Sequence, residues 1–229
     1  MAPKLSMQQK LLIVGAGAQA RYVINTVSLT HQAEIVGLID TFDNSSMRGR
    51  EVGGCKILGG LSELENFSTE EGLLFVLAVA KLDQKREIAA QLESRGCKFA
   101  AIVHPTVVIS RGVEIGEGSI INAGVICEDS VRIGRHVIVH AGSVLEHDNV
   151  VEDFVNIGPG VKTGGRVRFG SGAVVYTGAT LIPDVVVGPN SIVGAGAVVL
   201  AAVAAGSVVA GVPARQLPPA RRDGNISHG

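Results

Sequence analysis

Three consecutive residues, Glu146, His147 and Asp148, place an imidazole between two carboxylates in the middle of a long repetitive segment. An imidazole beside a carboxylate is suited to general-base catalysis, because the neighbouring negative charge raises its basicity. In the local sequence SVLEHD the aliphatic Leu145 is expected to point inward, so that Glu146 points outward and His147 occupies a corner. A solvated corner histidine without a catalytic role is the alternative interpretation.

Residues 18 apart are expected to stack in this repeat, and Gly165 lies 18 residues after His147. A bare backbone beside the imidazole would leave space for a thioester and offer an N–H group to its oxygen. Two further histidines belong to the same repeats. His140, on the outward position of VIVHAG, is predicted to make a supporting contact with the Glu146 region, and His136, at a hexad edge, is predicted to be a solvated corner.

A second candidate site is the glycine-rich sequence GAGAQA at residues 15–20, which follows an apolar strand and opens a helical pattern. Such a turn lets backbone N–H groups approach a phosphate at the helix N-terminus. Asp40 ends the next predicted strand, where its carboxylate suits a ribose or sugar hydroxyl. A tight turn without a ligand and an NAD site are the alternatives, and a nucleotide-bearing substrate fits better because no dehydrogenase-like catalytic domain follows.

The elements that position the first site repeat every six residues in one register from Val107 to Leu200. The third position of each hexad is nearly always aliphatic, and the first is Val, Ser, Ala or Asn. A fixed short period indicates one strand and one corner per unit, stacked on copies of itself. Three hexads close one triangular coil, so the segment predicts roughly five coils with the third-position side chains inside.

The elements that position the second site lie between Lys10 and Val103, where short apolar strands alternate with helical patterns. This alternation predicts a parallel sheet with four strands, the last within KFAAIVHP. The period changes at residues 104–106. We therefore expect a βαβ nucleotide-sugar-binding domain over 1–105, a β-helix over 106–215, and a C-terminal tail over 216–229.

Composition narrows the function classes. The chain of 229 residues has a net charge of −1, so nucleic acids and anionic membranes are not expected as partners. It contains 30 glycines and no tryptophan, which suits a narrow β-helix interior. The three cysteines are isolated and form no metal-binding spacing, so no metal is expected. No secretory segment precedes the first strand, and a cytoplasmic location is expected. The uncharged stretch between Asp184 and Arg215 keeps the hexad period, so no membrane span is predicted.

These features together resemble a known family. The hexapeptide register, the EHD stretch and the exit sequence GVPAR at residues 211–215 are similar to the left-handed β-helix acyltransferases. The βαβ domain, joined through VHPT, narrows the resemblance to bacterial amino-sugar N-acetyltransferases and sialic acid O-acetyltransferases of glycan biosynthesis. The resemblance covers about Lys10 to Leu217. It implies a Rossmann-like α/β N-terminal domain with a short parallel sheet, followed by an all-β left-handed parallel β-helix, in a homotrimer.

The resemblance also implies roles for individual residues. His147 is the expected base, supported by Asp148 and Glu146. Acetyl-CoA is the expected co-substrate, in a groove between adjacent subunits. The residues that the resemblance assigns to that groove are Asn156, Gly165, Thr177 and Ala195. The nucleotide-sugar is expected at the N-terminal turn, on Gly17, Ala18, Gln19, Asp40 and Thr41.

This chain departs from the family pattern at several positions of the N-terminal domain and at one in the coils. Gln19 stands where a histidine is usual, and Ala18 where glycine is usual. The third strand ends in Ala78, Val79, Ala80 and Lys81 rather than in a glycine pair with Asn or Asp. Asn156 stands where some members carry a second histidine. The pocket for the sugar and its nucleotide is therefore altered, whereas the residues of the acyl transfer are kept.

The expected activity is transfer of an acetyl group from acetyl-CoA to the amine of a nucleotide-linked amino-sugar. O-acetylation of a sialic acid by the same residues is the nearest alternative. A catalytically silent scaffold that binds nucleotide-sugar is a second alternative, which the EHD stretch disfavours. An NAD-linked enzyme is a third, and NAD titration would distinguish it. The sequence does not specify the sugar, the nucleotide or the acceptor position.

Overall fold

The computed structural model describes residues 9–42, 47–67 and 72–218. The predicted C-terminal tail, 216–229, therefore lies largely outside the described residues. The described residues of the N-terminal domain contain six strands: β1 (Lys10–Val14), β2 (Glu34–Ile39), β3 (Glu51–Val52), β4 (Cys55–Gly59), β5 (Leu73–Leu77) and β6 (Lys98–Phe99). Its helices are α1 (Ala18–Thr30), α2 (Leu64–Phe67) and α3 (Leu82–Ser94), with a 3₁₀ turn at Leu61–Glu63.

The sheet of the N-terminal domain has the strand order β3-β4-β2-β1-β5-β6. Strands β4, β2, β1, β5 and β6 are parallel neighbours, and only the β3–β4 pair is antiparallel. Every residue of β5 is buried, as expected for a central strand covered on both faces. The order reverses between β1 and β5, so the carboxyl ends of these strands form the usual ligand-binding edge of such a sheet.

After β6 the chain forms the coil of two-residue strands: β7 (Ile102–Val103), β8 (Val108–Ile109), β9 (Glu114–Ile115), β10 (Ile120–Ile121), β11 (Ile126–Cys127), β12 (Arg132–Ile133), β13 (Ile138–Val139), β14 (Val144–Leu145), β15 (Val150–Val151), β16 (Asn156–Ile157), β17 (Lys162–Thr163), β18 (Arg168–Phe169), β19 (Val174–Val175), β20 (Thr180–Leu181), β21 (Val186–Val187), β22 (Ile192–Val193) and β23 (Val198–Val199). β24 (Val208–Ala210) and β25 (Arg215–Gln216) end it. The strands stack into three parallel sheets, which we call the first face (β7, β10, β13, β16, β19, β22, β24), the second face (β8, β11, β14, β17, β20, β23) and the third face (β9, β12, β15, β18, β21).

The predicted stacking of residues 18 apart is confirmed, because Ile120 pairs with Ile138 and Ile138 with Asn156. The predicted fold class is confirmed as well: an α/β domain followed by a left-handed parallel β-helix. Side chains of the third hexad position fill the interior, and those of the first position, such as Val125 and Val155, are buried beside them. Ile109 is the exception, 49% exposed, because it lies in the first coil and has a neighbouring strand on one side only.

The N-terminal domain packs against the first face and one corner of the prism. Val23 and Val27 of α1 belong to the same buried cluster as Ile102, Ile120 and Ile138 of the first face. Helix α3 lies against the corner between the third and first faces, where Arg86 stacks over the Phe154 ring at 5.7 Å. The carboxyl edge of the N-terminal sheet therefore borders the first face.

The structure corrects two details of the sequence interpretation. KFAAIVHP is not one strand: β6 joins the N-terminal sheet, whereas β7 is already the first strand of the first face. The antiparallel β3–β4 hairpin was not predicted, because its strands are short and show no clear alternation. The coil thus begins before residue 106, and the division into domains at 105/106 stays a prediction.

Candidate active site

The imidazole of His147 and the carboxylate of Asp148 form a direct pair, with Nδ1 2.9 Å from Oδ2. A carboxylate only accepts hydrogen bonds, so Nδ1 is the donor of this pair, and in the neutral imidazole Nε2 then carries the lone pair. Both side chains are about half exposed, 47% and 56%. Asp148 adopts the left-handed conformation (φ 58°) that the tight corner requires and that aspartate tolerates. The arrangement presents an oriented, accessible basic nitrogen at the corner between the second and third faces.

A buried asparagine that sequence reasoning missed holds this corner in shape. Asn149 is fully buried, and its Nδ2 donates to the carbonyl oxygens of Glu146 at 2.6 Å and Gly164 at 2.9 Å. The Glu146 N–H donates to the hydroxyl of Thr163 at 3.1 Å. The sequence does contain a signal for this role, because Asn149 occupies the inward first position of a hexad, where an amide without hydrogen-bond partners would be unfavourable. Among the described residues Asp148, not Glu146, hydrogen-bonds the imidazole.

Gly165 lies directly against the free side of the imidazole. A β-carbon on Gly165 would contact Nε2 of His147 and lie 2.5 Å from its Cε1. Any residue other than glycine would therefore displace the imidazole ring. The backbone N–H groups on either side of Gly165 are already hydrogen-bonded, because Gly164 N donates to Leu181 O and Arg166 N donates to His147 O. Within the described residues the Gly165 N–H has no backbone acceptor. It is available to an oxygen that carries developing charge.

The glycine-rich turn lies at the carboxyl edge of the N-terminal sheet, between β1 and α1. Gly15 (φ 117°) is required there, because a β-carbon would overlap the carbonyl group of Ala78 after β5. Gly17 is the N-cap of α1 and is exposed with open space around it. Ala18 is exposed as well, whereas Gln19 is partly buried, and its Nε2 has no hydrogen-bond partner among the described residues.

Asp40 follows β2 at the same edge and is 8% exposed. Its backbone N–H donates to the carbonyl of Gly59 at 2.8 Å, and the preceding Ile39 accepts a 2.7 Å hydrogen bond from the Gly15 N–H, so Asp40 lies beside the glycine-rich turn. The next residue, Thr41, accepts a 3.1 Å hydrogen bond on its carbonyl from Nε2 of Gln84 in α3. The five residues assigned to substrate binding therefore lie together on one edge of the domain.

The two candidate sites are on opposite sides of the prism within one chain. His147 is at the corner between the second and third faces, and the N-terminal domain covers the first face, which is opposite to that corner. The residues assigned to acetyl-CoA are also separated. Asn156 is on the first face, Thr177 and Ala195 are stacked at the corner between the first and second faces, and Gly165 is beside His147. One chain does not bring them into a single groove.

Two other histidines differ from expectation. His136 is not a solvated corner: its side chain is fully buried, stacked on Phe154 at 5.0 Å and edge-on to Phe99 at 4.6 Å. Burial lowers its pKa, and the neighbouring Glu93 opposes that shift. The corner position is solvated only in an isolated coil, and here the N-terminal domain covers it.

His140 does not reach Glu146, because the two lie at successive corners. Its ring borders a cavity of about 240 Å³ that Tyr22, Asn25 and Asn122 also line. Burial lowers the pKa of His140, which favours the neutral imidazole.

Among residues 9–42, 47–67 and 72–218, no cluster of three or more His, Cys, Asp or Glu side chains could hold a metal ion. In the same part of the chain no helix is long and apolar enough to cross a membrane.

Comparison with protein families finds a match to the PglD N-terminal domain over residues 10–92. A curated relative is redox-sensing transcriptional repressor Rex 1 of Thermotoga maritima, 34% identical over 90 residues, which are 39% of this chain and 42% of that protein. The chain therefore spans less than half the length of this relative.

Similar solved structures cover nearly the whole chain. A histidine-to-alanine variant of GDP-perosamine N-acetyltransferase from Caulobacter crescentus, in complex with CoA and GDP-perosamine, is 27% identical with a TM-score of 0.85, covering 94% of this chain and all of that one. The acetyltransferase domain of PglB from Neisseria gonorrhoeae is 28% identical with a TM-score of 0.84, covering 92% and 100%. WeeI from Acinetobacter baumannii, 24% identical with a TM-score of 0.72 and the same coverage, shares the fold.

Proposed function

We propose that this chain, a member of the hexapeptide-repeat acetyltransferases of the nucleotide-linked amino-sugar family, N-acetylates such a sugar with acetyl-CoA. The observation that carries the proposal is the His147–Asp148 pair, whose free Nε2 faces the bare backbone of Gly165. The similar enzyme of C. crescentus acts on GDP-perosamine and binds CoA, which supports this class of substrates. The location would be the cytoplasm.

The proposed reaction needs one base and one oxyanion donor. The sugar amine attacks the thioester carbonyl, forming the C–N bond, while Nε2 of His147 takes the amine proton. The resulting imidazolium is stabilised by Asp148 through Nδ1. The Gly165 N–H donates to the carbonyl oxygen as charge develops there. When the C–S bond breaks, the proton passes from His147 to the departing sulfur, leaving the acetamido sugar and CoA with its free thiol.

The nucleotide would bind at the carboxyl edge of the N-terminal sheet. The open N-terminus of α1 at Gly17 and Ala18 suits a phosphate, because unpaired backbone N–H groups point outward there. The carboxylate of Asp40, beside this turn, would accept hydrogen bonds from hydroxyl groups of the ligand, with Thr41 adjacent. Gln19 would position the substrate without titrating near neutral pH.

The opposite positions of the two sites support a homotrimer in which each active site uses two chains. The His147 corner of one copy would meet the substrate edge and the Asn156 side of the next, with acetyl-CoA between them along Gly165, Thr177 and Ala195. Large apolar side chains are exposed on the prism, as at Tyr176 (51%) and Val186 (46%). Burying them against a neighbouring copy would be favourable.

The activity is tested by measuring thiol release from acetyl-CoA with a panel of nucleotide-linked amino-sugars and free sialic acids. We expect release with at least one amino-sugar nucleotide, and release at least about 100-fold slower by the His147→Ala variant. Release only with sialic acid would establish O-acetylation instead, and no release with any acceptor would support a binding scaffold. NAD titration without binding would remove the dinucleotide alternative.

The shared site is tested by mixing two inactive variants, His147→Ala and Asp40→Ala, in one trimer. Mixed trimers contain some sites with both residues intact, so partial activity should return. Activity that stays absent in mixed trimers, although each variant assembles, would contradict a site built from two chains.

A further inference from the structure

The cavity that His140 borders lies between helix α1 and the corner where the first and second faces meet, and we call it the α1 cavity. Its volume is about 240 Å³. That is far more than the ~10–15 Å³ that a single water needs, and it is slightly below the range of sites for drug-sized ligands, about 300–1,000 Å³. The α1 cavity therefore has room for one small organic group, such as a single sugar ring.

The residues that line the α1 cavity combine polar and small apolar side chains and carry no fixed charge. The polar ones are Tyr22, Asn25 and Thr26 of α1 and His104, Asn122 and His140 of the coils. None of the described side chains that line it is Asp, Glu, Lys or Arg. Burial lowers the pKa of His140, so this ring is neutral at pH 7. Such a lining suits an uncharged ligand that forms hydrogen bonds, and it does not suit a phosphate or a carboxylate.

Asn122 has an unused hydrogen-bonding group in this lining. The residue is 5% exposed, and its Nδ2 has no hydrogen-bond partner among the described residues. A buried amide without a partner is unfavourable, and such groups are rare in folded proteins. Rotation of the amide by 180° exchanges its oxygen and nitrogen, so either atom can meet a ligand in the cavity. A ligand with hydroxyl groups would supply the missing partner.

Two further groups of the lining suit a sugar ring. Nδ1 of His104 accepts a 3.2 Å hydrogen bond from the Thr106 N–H, so in the neutral imidazole Nε2 is a donor. The Thr106 hydroxyl lies 2.8 Å from the same Nδ1 and accepts a 3.0 Å hydrogen bond from the Gly124 N–H, which holds the ring in place. Tyr22, 52% exposed, adds an apolar ring face and a hydroxyl. A pyranose has both C–H faces and hydroxyl groups to match them.

The α1 cavity adjoins the residues assigned to acetyl-CoA. Ala141 and Pro159 line the cavity, and Thr177 and Ala195 continue the same column at intervals of 18 residues. Hydrogen bonds of 2.9–3.0 Å between the backbones of successive coils make this column continuous. Successive coils are about 4.8 Å apart, so a ligand in the cavity lies next to the proposed acetyl-CoA groove.

The α1 cavity is also close to the proposed phosphate site. Gly17 caps α1, and Tyr22 is the residue nearest to it along the helix among those that line the cavity. The two positions are about 7.5 Å apart along the helix axis. The sugar of a nucleotide-sugar is bonded directly to its diphosphate. A phosphate at the N-terminus of α1 and a sugar in the cavity can therefore belong to one ligand.

We infer that the α1 cavity binds the sugar ring of the acceptor and selects a ring with neutral substituents over a ring with a carboxylate. The inference rests on the proposed function and narrows its substrate class: nucleotide-linked amino-hexoses are acceptors, whereas sialic acids and amino-uronic acids are not. A carboxylate in the cavity would lose its hydration without a cation to replace it. Lys85 is not such a cation, because it does not line the cavity and its Nζ is bound to the carbonyl oxygen of His136.

The main test introduces the missing charge. Asn25 is exposed on α1, so Asn25→Arg is compatible with the helix and adds a guanidinium to the lining. For UDP- and GDP-linked amino-hexoses and their counterparts with a C6 carboxylate, kcat and KM are measured. The wild type should have a KM about 10-fold or more lower for the neutral sugar. Asn25→Arg should lower the KM of the carboxylate sugar by about 10-fold and change kcat less.

Ser28→Arg is the matched control, because Ser28 is exposed on the same helix and does not line the cavity. It adds the same charge and should leave the preference for the neutral sugar unchanged. Equal effects of the two substitutions would indicate a general attraction of the added charge for nucleotides and would overturn the inference. An unchanged preference in Asn25→Arg would overturn it as well, and so would a wild-type preference for the carboxylate sugar.

Asn122→Leu tests whether this residue serves the ligand or the fold. Leucine keeps about the same volume and removes the amide. The KM of the nucleotide-linked amino-hexose should rise about 10-fold, because a hydrogen bond to the sugar is lost. The free energy of unfolding in urea should not fall, since Nδ2 has no partner within the described residues. A loss of stability with an unchanged KM would assign Asn122 to the fold and contradict the inference.

Calorimetry without acetyl transfer separates this inference from the proposed activity. Asn122→Leu should weaken binding of the nucleotide-linked amino-hexose and leave the affinity for UDP or GDP alone unchanged. This result in a protein that transfers no acetyl group would contradict the proposed function and support the sugar site. If Asn122→Leu weakened acetyl-CoA binding and spared the nucleotide-sugar, the cavity would belong to the acetyl donor and the inference would be wrong.

Discussion

Nζ of Lys85 donates a 2.7 Å hydrogen bond to the carbonyl oxygen of His136, tying helix α3 to the β-helix. Lys85 is only 4% exposed, and within the described residues no carboxylate forms an ion pair with it. Burial lowers the pKa of Lys85 to about 7. The hydrogen bond therefore joins the N-terminal domain to the coil at a side chain that titrates near neutral pH.

The free energy of unfolding should consequently rise between pH 7 and 8.5. The folded chain loses the Lys85 proton near pH 7, whereas the unfolded chain keeps it up to about pH 10.5, so the unfolded state binds more protons in this window. The rise should approach about 1.4 kcal/mol per pH unit, measured by urea unfolding. The Lys85→Met substitution should remove most of this rise of the unfolding free energy with pH. The exposed Lys98→Met should not, and an unchanged slope in Lys85→Met would contradict the assignment.

His136 should make the fold sensitive to acid. Burial between Phe99 and Phe154 lowers its pKa below 6.5, so the unfolded chain takes up a proton first as the pH falls. Stability should therefore decrease as the pH drops from 6.5, by up to about 1.4 kcal/mol per pH unit. His136→Asn, which tolerates the same left-handed backbone (φ 56°), should reduce this slope in urea titrations at pH 5 and 6.5. His31→Asn, at φ 50° but exposed, is the control and should keep the wild-type slope.

Removal of the proposed base should lower turnover and spare co-substrate binding. His147→Ala is expected to reduce kcat by about 10²- to 10⁴-fold, since general-base catalysis contributes in that range. Asp148→Ala should reduce it less, because it acts through the imidazole, and His140→Ala should reduce it least. Thiol release measures kcat, and calorimetry measures acetyl-CoA affinity. Near-normal turnover in His147→Ala would exclude the mechanism.

A methyl group on Gly165 should displace the imidazole. Gly165→Ala places its β-carbon against Nε2 and Cε1 of His147, and a displacement of about 1 Å can lower turnover by about 10²-fold. The same substitution in the His147→Ala background should cause little further loss, because the displaced group is already absent. An equal loss in both backgrounds would point to acetyl-CoA binding or folding instead.

Asn149 should support both stability and turnover. Asn149→Ala leaves the buried carbonyl oxygens of Glu146 and Gly164 without a donor, which should cost about 1–3 kcal/mol of unfolding free energy. Turnover should fall as well, because the corner that orients His147 loosens. Asn66→Ala, in an exposed turn of α2, should change neither urea unfolding nor thiol release.

The sequence by itself determined the β-helix and the adjacent positions of His147 and Asp148. A six-residue period leaves one way to bury the aliphatic positions, and it places His147 and Asp148 at one corner, where the turn brings their side chains together. The 18-residue stacking rule by itself also predicts that Gly165 lies beside His147. The sequence also indicates that the glycine-rich turn and Asp40 share one edge of the sheet, because each follows a predicted parallel strand.

Only the tertiary structure decided what covers each corner. His136 and His147 occupy similar corner positions in the repeat, yet one is buried under α3 and the other is exposed, because packing of the N-terminal domain carries no signal within a hexad. The same holds for Lys85, because the helical pattern of α3 does not show which of its charged side chains the β-helix covers. Long-range packing against a second domain set these environments, and local periodicity does not encode it.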